Sequence, residues 1–283
     1  MAGDGLSLLQ FADRIGLNLF ALLTIGFALH AASGVVEREA FKNLRLRVAL
    51  ASLVLALFVA LRLCILIAQM GDGSNPYDPE LLPLAWMALG DSSLLILVGA
   101  LVAASGVWLG SRIIAALGAI LISAGFALTG HSQGLTDPGL APAMVGAHVL
   151  IAGFWVAAPV SLYPAKALPD AQLLARLSRF SAIAIVAIPV LIGLGFWLAW
   201  VLTGGPEKLF RTTYGLLLLA KLAIGVGAMG LGALNKQIIT AKVAAEPVIG
   251  RAWLRTMLLL EATLFAAAIV AVSAATTIGG PTD

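Results

Sequence analysis

Charge is scarce in this sequence. Asp, Glu, Lys and Arg make up only 11% of its 283 residues, and 61% are hydrophobic, whereas soluble domains carry roughly 25% charge. That shortage excludes a water-soluble globule. Cysteine is almost missing too: the single thiol, Cys64, lies inside an apolar run, so no intrachain disulfide can form. Carboxylates are too sparse for the all-oxygen cage that a hard cation requires. The basic residues form no continuous patch, which argues against a nucleic-acid partner. The opening MAGDGLSLLQFAD is acidic and lacks the basic segment that precedes the apolar core of a secretory signal, so the first apolar run is expected to be retained.

In place of charge there are long apolar runs, each near the ~20 residues a helix needs to cross the hydrocarbon core of a bilayer. Bounded by charge, Gly and Pro, they predict spans near Phe11 to Gly34, Val48 to Met70, Leu81 to Gly106, Ile113 to Gly130, Pro138 to Tyr163, Phe180 to Leu202, Tyr214 to Asn235 and Met257 to Thr277. The expected fold is an all-α polytopic bundle of about eight transmembrane helices, a single transmembrane domain over residues 1–283. Alternate connections hold 12 basic residues: Arg38, Lys42, Arg45 and Arg47, then Arg112, then Lys166, Arg176 and Arg179, then Lys236, Lys242, Arg251 and Arg255. The opposite connections hold two, Lys208 and Arg211. The positive-inside rule makes the 12-residue side cytoplasmic and places both termini outside.

An ionisable group inside a membrane is costly unless paired or hydrated, so each marks a question. Arg62, Asp91, His148, Lys221 and Glu261 fall within or near predicted spans. Arg62 and Asp91 fall in the same outer half, and Lys221 could reach Glu261 on the next span; structural ion pairs, a gate or a proton path would each account for such pairs. The three histidines point elsewhere. His131 follows the fourth span, and Met144 and His148, at i and i+4, project from one face of the fifth. Imidazole and thioether together suit copper, Cu(I) above all. His30 falls at the far end of the first span, on the wrong side to join them. A GxGxxG string, Gly225 to Gly230, stands within an apolar span without a preceding strand, so it reads with Gly232 as a small-residue helix face and not as a nucleotide site.

The second half resembles the copper resistance protein D family of bacterial inner membranes. The likeness rests on ARLSRFSAIAIVAIPVLIGLGFWLAW, TTYGLLLLAKLAIGVGAMGLGALNKQ and RTMLLLEATLFAAAIVAVSAATTIGGP, with Tyr214-Gly215, Lys221, Asn235, Arg255 and Glu261 at matching places. Upstream, LTGHSQG followed by AHVLIAGFWVAAP resembles the family's GH turn and its helix with an inward His and a Trp, although Trp155-Val-Ala157-Ala158 stands where the family commonly has Trp-x-Gly-Gly. The resemblance implies a copper-homeostasis role without enzymatic activity: a permease moving copper from periplasm toward cytoplasm, beside a periplasmic copper-binding partner of the CopC type. His131, Met144 and His148 are then the expected copper ligands, with Lys221, Glu261, Arg62 and Asp91 as structural or gating charges. No ATP-binding motif is present, so transport would be passive or coupled to another gradient. Two alternatives stand beside this reading, a membrane anchor for a periplasmic copper protein and a b-type haem electron carrier.

Overall fold

The computed structural model describes residues 2–38, 41–71, 73, 75–130, 133 and 137–278. These form helices α1 (Ala2–Ala32), α2 (Phe41–Met70), α3 (Leu82–Leu109), α4 (Arg112–Ala127), α5 (Ala141–Val156), α6 (Ala158–Ser161), α7 (Asp170–Thr203), α8 (Pro206–Arg211), α9 (Thr213–Leu234), α10 (Thr240–Ala245) and α11 (Pro247–Ile278). A π-helical turn, Asn235–Ile239, joins α9 to α10. Among the described residues there is no strand, as expected where lipid offers no partner to an open sheet edge. Among the described residues seven helical segments are long and apolar enough to cross a membrane, with α5 and α6 counted as one and α9 running on through α10.

The fourth expected span is shorter than the apolar run that predicted it. α4 has 16 residues, about 24 Å of helix. It runs antiparallel to α3 in tight contact: Gly106 abuts Ala115, Gly118 abuts Ala103 and Gly99 abuts Ile122, so close that a Cβ on any of these glycines would overlap the partner helix. Gly110, in the left-handed conformation (φ 71°), closes α3 with its N–H on Val107 and lets the chain reverse into α4. Ser111 caps α4, its hydroxyl accepting from Ile114 N–H. α7 and α11 depart in the other direction, beginning at Asp170 and Pro247, about ten residues before the apolar runs do. Their extra turns hold Arg, Gln, Ala and Leu, which are good helix formers, and the polar ones among them fall outside a hydropathy window.

The start of α1 and the end of α11 lie on one face, where Arg14 of α1 donates to the Thr276 carbonyl and Asn18 donates to Ser273 Oγ of α11. The basic connections gather on the other. There Arg176 donates to Glu37 at 2.9 Å, Arg179 to the Gly34 carbonyl, Arg47 to the Val160 carbonyl, and Arg251 to Asp170 and the Leu168 carbonyl. One core packs α1 to α4, and a second packs α5, α7, α9 and α11. α1 and α5 join the halves at their closest point, where Gly26 and Gly153 let the backbones touch.

Candidate functional site

Two cavities enter the bundle from opposite faces. The outer one, on the side of the termini, has a volume of about 380 Å³ and lies between α1, α5, α7, α9 and α11. Arg14 of α1, Arg62 of α2 and Thr129 stand at its mouth; His148 of α5 and Lys221 of α9 lie deeper. Of the 17 Lys and Arg residues, these three are the ones outside the loop clusters, and all three face this space. Most of the remaining wall is aliphatic, and among the described residues no carboxylate and no sulfur side chain lines it. Arg62 donates to Thr129 Oγ1 at 3.0 Å, and the buried Asp13 interacts electrostatically with both arginines from behind.

His148 is held by its neighbours. Its Nε2 is 3.5 Å from Lys221 Nζ, and its ring lies against Gly195 of α7, where a Cβ would crowd it. Nδ1 is buried without a hydrogen bond of ordinary geometry, the Leu191 backbone being the nearest partner. With Lys221 as donor, Nε2 is the acceptor and the proton sits on Nδ1.

The inner cavity, about 310 Å³, opens toward the basic face between α7, α9, α11 and the π-helical turn. Glu261, 3% exposed, projects into it and accepts from Asn235 Nδ2 at 2.7 Å. Trp155 of α5 belongs to the walls of both cavities. Its indole meets Phe265 of α11 edge to face, centroids 5.1 Å apart. Trp155 is the one described residue common to the two walls, and Phe265 lines the outer cavity only.

Several expectations need correction. Lys221 and Glu261 are not partners: Lys221 faces His148, whereas Glu261 bonds Asn235 and lies beside Gly232, 11 residues or about 16 Å further along α9. Arg62 and Asp91 are likewise apart, for Arg62 turns inward to Thr129 and Asp91 is exposed on the outer surface of α3. Met144 does not line either cavity, although it shares a helix face with His148. His131 lies outside the described residues. His30 is fully buried and donates Nε2–H to the Phe154 carbonyl at 2.9 Å, packed edge-on against Phe154 and Phe180. It lines neither cavity, so it offers no second axial ligand opposite His148 for a haem. The glycines of α9 do not form a close-packed face. Gly227 and Gly230 have open space around them, while Gly225 and Gly232 form parts of the outer and inner cavity walls.

Sequence reading passed over Arg14 and Asp13, which sit inside an apolar run and could have been counted with the other intramembrane charges. It named Trp155 only within the family's helix pattern, since a place beside both cavities is a property of the packing.

Fold and cavities together define a polytopic α-helical membrane protein with opposed internal spaces. The family model of copper resistance protein D matches residues 174–275, a stretch that runs from α7 into α11. The match includes Tyr214, Lys221, Asn235 and Glu261 and begins after Trp155 and His148. No curated protein and no solved structure matches the chain.

Proposed function

We propose that this protein is a copper permease of the bacterial inner membrane, taking copper from the periplasmic face, where both termini lie, toward the cytoplasm. The observation that carries the reading is that Trp155 walls both cavities. Alternating access needs two vestibules and a movable partition between them, and an aromatic pair across α5 and α11 can serve as one.

In this scheme copper enters the outer cavity and meets His148, the imidazole whose Nε2 faces the space. Lys221 beside Nε2 holds the ring when no cargo is present and must swing aside before a metal can take the lone pair. Pro189, which lines the inner cavity, removes one rung of the α7 hydrogen-bond ladder. The π-helical turn loosens the end of α9 beside the same cavity. Both irregularities place yielding backbone where the partition would move. On the far side, Glu261 and Asn235 offer oxygen ligands for release toward the basic face. A CopC-type copper protein would deliver cargo at the mouth formed by Arg14, Arg62 and Thr129.

Copper retained by purified protein tests the reading. Wild type should hold copper, folded His148→Ala should lose most of it, and His131→Ala, where water can replace the ligand, should lose less. Retention should fall as pH falls, because a proton competes with the metal for the same imidazole nitrogen. Full occupancy in folded His148→Ala would remove His148 from the path.

A further inference from the structure

The outer cavity is built oddly for a bare cation. Its volume, about 380 Å³, is many times that of a metal ion. Among the described residues no three His, Cys, Asp or Glu side chains come together to hold a metal. Among the described residues His148 alone supplies a soft donor to this wall, where copper needs at least two. The charges are also of the wrong sign. Arg14 and Arg62 line the mouth, Lys221 lies beyond them, and the guanidinium groups keep their charge at any working pH. Asp13 sits behind both arginines and offsets one of them. A naked copper ion entering this space would pass two guanidiniums in surroundings where charges are poorly screened. Apolar walls between the cationic points would give it no further help.

All of these features agree with a different cargo. We propose, resting on the copper reading above, that the outer cavity accepts copper as an intact anionic complex with small ligands, and that Arg14 and Arg62 recognise the charge of the ligands and not the metal. A complex of about ten to twenty non-hydrogen atoms fits the space. It brings donors that the described wall of the cavity lacks, and its ligands can receive charge-assisted hydrogen bonds from guanidinium N–H groups not used on Thr129 or the Thr276 carbonyl. The aliphatic wall then contacts the body of the complex.

The test uses full-length protein in lipid nanodiscs under anaerobic conditions. Two copper(I) sources are compared: the anionic bis(thiosulfato)cuprate(I), its thiosulfate labelled with ³⁵S, and cationic acetonitrile-solvated copper(I). Copper and ³⁵S retained after gel filtration are counted for wild type, Arg62→Gln, Arg14→Gln and Arg62→Lys. We expect copper and ³⁵S to be retained together from the anionic source and in preference to the cationic one. Affinity should fall roughly ten- to a hundredfold in each Gln variant and recover in part in Arg62→Lys, whose retained charge also guards against reading misfolding as lost recognition. Copper retained without ³⁵S, or equally from both sources, would overturn the proposal while leaving a copper permease in place. Retention of no copper from either source, with or without ³⁵S, would overturn both.

Discussion

Glu261 shows how much of a buried charge's meaning lies in its partner. It is 3% exposed and accepts one strong hydrogen bond, from Asn235; removing that donor strands a desolvated acceptor, at a cost of about 1–3 kcal/mol. Asn235→Ala should therefore lower unfolding free energy in detergent by that amount, as read from a denaturant titration. Lys221 and Glu261 should behave as independent sites. The losses in Lys221→Met and Glu261→Leu should add in the double variant to within about 0.5 kcal/mol, and a coupling well above that would restore the ion pair that the structure lacks. The positions of both charges were legible in the sequence, because an ionisable group in an apolar run stands out. Their partners were not. Adjacent helices can meet at any depth, and hydropathy does not say that Lys221 faces His148 in the outer cavity while Glu261 sits level with Gly232, 11 residues further along α9. For the same reason the i, i+4 spacing of Met144 and His148 announced a shared face, yet only packing decides that His148 alone reaches the cavity.

Glycine has opposite uses in two parts of the bundle. Between α3 and α4 it permits backbone contact, and a side chain on Gly118 would strike the Ala103 backbone. On α9 it leaves room, and nothing lies within 4 Å of a Cβ on Gly227. Gly118→Leu should thus abolish recovery of folded protein, whereas Gly227→Leu should be recovered at near wild-type yield, both judged by monodisperse gel filtration in detergent. The sequence pattern pointed to the wrong helix, since Gly225 to Gly232 looks like a packing motif and the scattered glycines of α3 and α4 do not. Small residues announce a possible close approach, and the neighbouring helix decides whether it happens. The irregular elements admit a test as well. Pro189→Ala would restore a backbone hydrogen bond in α7, and it should raise the melting temperature while slowing copper movement. Faster movement with higher stability would argue that α7 takes no part in the motion.

At the scale of the whole molecule, apolar runs and loop charge disclosed most of the architecture: helices throughout the described residues, the start of α1 and the end of α11 on one face, basic connections on the other. These features follow from forces that act on stretches of sequence, namely burial in lipid and retention of Lys and Arg on one side. The positive-inside rule predicts that the terminal face is periplasmic, so a reporter fused after Asp283 should be active only as a periplasmic enzyme; cytoplasmic activity there would invert the direction proposed for both cavities. The two cavities themselves were not legible, because they arise where five helices fail to fill the space between them. The claim that they form one copper path through a Trp155 partition is tested most directly by copper flux into proteoliposomes containing the purified protein. Wild type should admit copper faster than protein-free vesicles, His148→Ala should slow it at least tenfold, and Trp155→Ala, which removes the partition, should let copper leak down its gradient faster than wild type. Flux in wild-type vesicles no greater than in empty ones, with folded and correctly inserted protein, would contradict the account.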